Sequence, residues 1–165
     1  MASLQGYPIA EEAYDLELFQ LASIFVASAE LSRISAGNQG ISRLRSMFEQ
    51  SEAARRLIAA AVFIRGKLDS RCVLRPNELE RAEKADVGVL IADLSKPAEK
   101  LTLSFREACN KIIHATAVDL ASHTPDDGDA VAMLSTTVTL LGSKRPKEWR
   151  AELNIVRFVN VASEL

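Results

Sequence analysis

Apolar residues recur with a helical period through the first third of the chain. Leu16, Leu18, Leu21, Ile24, Phe25, Ala29 and Leu31 form a broad stripe of period 3.6, which predicts one long helix over residues 10–35. The acids near its start, Glu11, Glu12, Asp15 and Glu17, suit the positive end of a helix dipole. The run "SAGNQG" at 35–40 stops it, with Gly37 as the expected C-cap and Gly40 as a hinge. A second stripe, including Leu44, Met47, Phe48, Ala54, Leu57, Ile58, Ala61, Val62 and Ile64, predicts a helix from Ile41 to about Lys67. The two are expected to form a helical hairpin.

After Lys67 the pattern shortens. Pro76 disfavours helix at Arg75 and suits the first turn of a new one, so a short helix is expected over 77–85. "DVGVLIADL" at 86–94 is short and apolar, and period alone does not separate helix from strand there. "SKPAEK" is expected to restart a helix at Ser95 or Lys96 that runs to roughly Ala121. "SHTPDDGD" at 122–129 reads as a loop. The period then changes to two. "VAMLSTTVTLLG" is rich in Val and Thr, and in "WRAELNIVRF" Ala151, Leu153 and Ile155 alternate with Arg150, Glu152 and Asn154. That predicts a β-hairpin around "GSKRPKE", laid by its apolar face on the helices that support it. The expected fold is a single domain over 1–165, mainly α: a bundle of about four helices within 10–121 and a C-terminal antiparallel β-hairpin within 130–160.

Composition narrows the function classes. A chain of 165 residues supports one real core. Aromatics make up 5%, so that core is built mainly from Leu, Ile, Val and Ala. The net charge of −2 argues against a protein devoted to non-specific nucleic-acid binding, but leaves room for a local basic patch. Residues 1–32 carry five acids and no Lys or Arg, whereas 33–75 hold Arg33, Arg43, Arg45, Arg55, Arg56, Arg65, Lys67, Arg71 and Arg75. Neutralisation of the first helix by the second is the expected reading, and an anion-binding second helix the alternative. Cys72 and Cys109 form no CxxC pair, the amino-terminal stretch has no basic leader pattern, and no apolar run reaches bilayer length. A cytoplasmic location without membrane contact is therefore expected.

Two stretches carry candidate chemistry. In "FREACNKIIHA", Arg106, Asn110 and His114 recur every four residues, each turned about 40° from the last, forming a slanting polar row. Arg matches phosphate oxygens, His moves protons and an amide orients either, so the row suits a phosphate. Lys111 lies in the same stretch. In "SKRPKEWR", Lys144 and Arg145 flank a turn close to Trp149, the mix of cations and aromatic that contacts nucleic acid. A hairpin turn anchored by a tryptophan has the same composition. No metal or cofactor is expected: Cys109 and His114 diverge by about 140° on a helix, "GNQG" lacks the Lys-Ser/Thr of a phosphate loop, and the acids Asp119, Asp126, Asp127 and Asp129 around His123 do not match calcium-loop spacing.

"REACNKIIHA", followed by a loop and a tryptophan-bearing hairpin, resembles proteins of the HEPN superfamily, small helical bundles whose active members are often metal-independent ribonucleases. Asn110 and His114 match that family's polar residue and histidine, whereas Cys109 stands where its arginine is expected and Arg106 lies further upstream. The resemblance implies a homodimer in which two motif helices meet, with His114 assisting proton transfer, Asn110 orienting groups, and Arg106 or Lys111 stabilising phosphate charge. A thiol cannot act as a guanidinium clamp. The resemblance thus implies either a metal-independent endoribonuclease or a non-cleaving member that binds RNA, a nucleotide or a protein. The alternative is a non-enzymatic helical protein–protein interaction module.

Overall fold

The computed structural model describes residues 11–70, 76–120, 122–123, 133–144 and 146–165. Helices α1 (Glu11–Ser35) and α2 (Gln39–Ser70) form the expected hairpin, and α3 (Pro76–Lys84) opens at its proline. Strands β1 (Asp86–Ile91) and β2 (Lys100–Ser104) follow, then α4 (Phe105–His114), β3 (Ala117–Asp119), β4 (Ser122–His123), β5 (Met133–Leu134), β6 (Thr137–Lys144), β7 (Lys147–Asn154) and α5 (Ile155–Ala162). The fold is mainly α, with five helices and a five-stranded antiparallel sheet of order β2-β1-β7-β6-β3 among the described residues. The β6–β7 hairpin falls where the alternation places it, but it is the middle of a larger sheet. β1 pairs with β7 on one side, and β3 with β6 on the other.

The additional strands replace expected helix. Residues 86–91 are strand because β2 and β7 flank them on both edges, information the local pattern does not hold. Residues 95–104 do not restart a helix. A turn closed by Lys96 N–H to the Asp93 carbonyl (2.9 Å) is followed by one closed by Glu99 N–H to the Lys96 carbonyl (3.0 Å), which contains Pro97, and the chain then runs as β2. The helix begins at Phe105, where Ser104 caps the Glu107 N–H (3.4 Å), and ends at His114 rather than Ala121. Asn154 likewise caps α5 through the Arg157 N–H (2.9 Å), so Ile155 opens a helix instead of extending the strand.

One face of the sheet is covered. Val138, Leu140, Trp149, Ala151 and Leu153 are buried on it. Both α4 and α5 touch this sheet and also the α1–α2 hairpin, with α4 against α2 and α5 against α1. Ala53, Ala60 and Ala61 of α2 are buried, as is Ala108 of α4, and small side chains allow such close approach. Phe105 and Phe158 meet at 5.2 Å between ring centres, and Tyr14 donates to the Ala162 carbonyl (3.0 Å), tying α1 to α5. The acidic first helix and basic second helix pair at Glu17–Arg56, 2.6 Å apart. No helix among the described residues is long and apolar enough to cross a membrane.

Candidate functional site

Helix α4 sorts its residues by angle. Phe105, Ala108, Cys109 and Ile112 point inward and are buried. The opposite side carries Glu107, Asn110, Lys111 and His114, three or four residues apart and therefore neighbours on the helix surface. Facing them is the end of the β6–β7 hairpin. A pocket of about 410 Å³ lies between, lined by Glu107, Asn110, Lys111, His114, Ser143, Lys144 and Trp149. The two stretches singled out in the sequence thus meet in one place, about thirty residues apart in the chain.

The register of the hairpin makes the wall. Gly142 pairs with Trp149 across β6 and β7, and a Cβ on Gly142 would penetrate the indole ring. The missing side chain lets the tryptophan lie across its partner strand, as aromatics often cover a strand glycine. Lys111 closes over the other side, its Nζ 4.2 Å from the ring centre. Only 3% of Trp149 is exposed, so it presents no face on which a base could stack. Its role here is to anchor the hairpin and hold Lys111 by a cation–π contact.

Glu107 organises the rest. Its carboxylate accepts from Asn110 Nδ2 (3.3 Å) and lies 3.4 Å from Lys111 Nζ. Lys111 is therefore doubly engaged, by an anion and an aromatic ring. Lys144 and His114 are exposed and have no ion pair or hydrogen bond among the described residues. Their cation and imidazole are open to an incoming anion. Glu107 and Ser143 were not among the residues expected from sequence; the position of Glu107, three before Asn110 and four before Lys111, is the signal that would have found it.

Arg106 is not in the pocket. Each four-residue step drifts about 40°, and by Arg106 the row has turned toward α2 and α3. There its guanidinium pairs with Asp69 (2.6 Å) and with Glu83. It clips three helices together. Cys109, in the position where the family resemblance expects arginine, is fully buried, and burial pushes its thiol up to about 12. Arginine could not occupy that place without burying its charge between α4 and α2. Arg145 lies outside the described residues, as do Asp126, Asp127, Asp129 and Cys72. Among the described residues no three His, Cys, Asp or Glu side chains are grouped to hold a metal.

The geometry is that of a small, mixed-charge pocket. It offers one exposed cation, one imidazole, an amide and a carboxylate-held lysine. No family model, curated protein or solved structure matches this chain.

Proposed function

We propose that the pocket between α4 and the β6–β7 hairpin binds the phosphates of single-stranded RNA, and that the chain is a HEPN-like protein that holds RNA without cutting it. The observation that carries this reading is the convergence of Asn110, Lys111 and His114 with Lys144 in one pocket. Phosphate sits between Lys144 and His114, and the Glu107–Lys111–Trp149 stack fixes the pocket wall. Cleavage in the family's arrangement would need the motif's arginine beside the histidine to stabilise charge in the transition state. Arg106 is engaged elsewhere and the Cys109 thiol is buried and protonated, so binding is the better-supported half of the reading. A reducing cytoplasm suits the free thiol.

The test is fluorescence anisotropy with a labelled single-stranded RNA in chelator, across a salt series, with gel analysis of the same RNA. Two phosphate contacts on a single strand give a log–log salt slope of about −1.4. Lys144→Glu and His114→Ala are each expected to weaken binding about 5- to 10-fold, with the RNA intact. Absence of binding at low salt removes the proposal; cleavage lost in His114→Ala would replace it with the nuclease reading. A second reading, a protein–protein interaction module, is supported by a different observation: among the described residues, the outer face of the α1–α2 hairpin exposes a row of large apolar side chains.

A further inference from the structure

Helix α1 is apolar on more than one side. Tyr14, Leu18, Leu21 and Phe25 face the core, yet Leu16, Phe19 and Val26 point to solvent, with Phe19 69% exposed. A helix apolar around its circumference is characteristic of one covered on every side. Helix α2 repeats the feature. Opposite its buried stripe runs Leu44, Phe48, Ser51, Arg55, Ile58 and Val62, in steps of four, three, four, three and four. That spacing averages 3.6 residues, so the row stays on one face of the helix, where another helix can pack. A groove of about 670 Å³ lies between the two rows, with Phe19, Ile24, Leu31, Leu44 and Phe48 among its walls.

We infer that this face is where a second copy of the chain docks, hairpin against hairpin, to make an intermolecular four-helix bundle. Area supports it. Among the described residues, eight of the eleven exposed large apolar side chains lie on α1 and α2. At about half exposure each they leave on the order of 800 Å² uncovered along the two helices, close to the share one partner contributes to a standard interface. Charge supports a copy of the same chain over a strongly charged partner. The charged residues along the groove are two arginines and two glutamates, Arg45, Arg56, Glu49 and Glu52. Arg45 pairs with Glu49 (3.0 Å), and Arg56 with Glu17 (2.6 Å) and Glu52 (3.4 Å). A two-fold interface brings a surface against itself, so it requires this balance. The inner face of α2 holds α4, so this interface differs from the motif-helix dimer that the family resemblance implies and leaves the phosphate pocket uncovered.

Light scattering coupled to size exclusion, and sedimentation equilibrium on the full chain, test this. The wild type is expected to have twice the 18.0 kDa chain mass at about 100 µM. Phe48→Asp with Val62→Asp is expected to raise the dimer dissociation constant at least 100-fold, with an unchanged helical circular-dichroism spectrum. Leu44→Ser with Phe48→Ser, a gentler pair, is expected to raise it about 10-fold and serves if the first variant does not fold. A wild type that stays monomeric at that concentration overturns the inference, as does a dimer whose affinity is unmoved in the folded variants. So does a monomer that dimerises only after deletion of residues 1–10, because the chain's own first residues then cover the groove.

Discussion

From Ala53 to Ser70, α2 buries Ala53, Leu57, Ala60, Ala61, Ile64 and Leu68; from Gln39 to Glu52 it buries none, although that half holds Ile41, Leu44, Met47 and Phe48. The two halves differ in what packs on them and also in side-chain size. Three of the six buried positions are alanine, where close neighbours such as α4 leave little room. The bare half carries long, flexible or aromatic side chains that project outward. Small residues accompany the interface completed by α4, and the large ones of the other half lie on a face that no described element covers. The sharpest way to break this comparison is to truncate one leucine in each half. Leu57→Ala, at a fully buried site, is expected to cost about 3 kcal/mol. Leu44→Ala is expected to cost under about 0.5 kcal/mol in dilute protein and more as concentration rises, because only a dimer buries it. Urea denaturation at two protein concentrations measures both. Equal costs at both sites would erase the distinction between the halves.

A second experiment probes the seam between α2 and α4. Burial raises the Cys109 thiol from its ordinary 9.0 to about 12, against the opposing pull of Arg65 and Arg106. In the unfolded chain the thiol ionises near 9, so between pH 9 and 12 the folded state holds a proton that the unfolded state has lost. Stability from this group is therefore complete below pH 9 and is lost as pH rises through that window. Comparing urea midpoints at pH 8 and 10.5, the wild type should lose about 2 kcal/mol more than Cys109→Ala. Identical pH profiles would mean that water reaches the α2–α4 seam.

Much of this arrangement was legible in the chain, and the exceptions share a cause. The helical hairpin, the start of α3 at Pro76 and the β6–β7 hairpin follow from local period and punctuation. The strand at 86–91 was ambiguous because its partners, β2 and β7, are remote in sequence. The helix start at Phe105 was misplaced, although Ser104 and Glu107 have the spacing of a capping box. Asn110, Lys111, His114, Lys144 and Trp149 were recognisable by type, but their meeting depends on the sheet register that sets Gly142 beside Trp149. Arg106 shares only its four-residue spacing with Asn110 and His114. The helical drift and two acids, Asp69 and Glu83, draw it away. Neither stripe on α1 or α2 says which of its sides the rest of the chain will cover.

The smallest effects separate Arg106 from Lys144, two cations that the sequence alone does not tell apart as phosphate partners. Arg106 ties α4 to α2 and α3 through partly exposed ion pairs, so solvent screening limits its worth. Arg106→Ala should cost about 1 kcal/mol of stability and leave RNA affinity within about 2-fold. Lys144 has no ion pair or hydrogen bond among the described residues and stands at the pocket mouth. Lys144→Gln should leave stability within about 0.5 kcal/mol and lower RNA affinity about 5-fold, with a shallower salt slope. The two variants therefore move opposite readouts. If Arg106→Ala weakens RNA binding as much as Lys144→Gln does, the nucleic acid follows the whole slanting row of α4, and the pocket is only its last stop. If it does not, the phosphate contact belongs to the place where the helix end meets the hairpin.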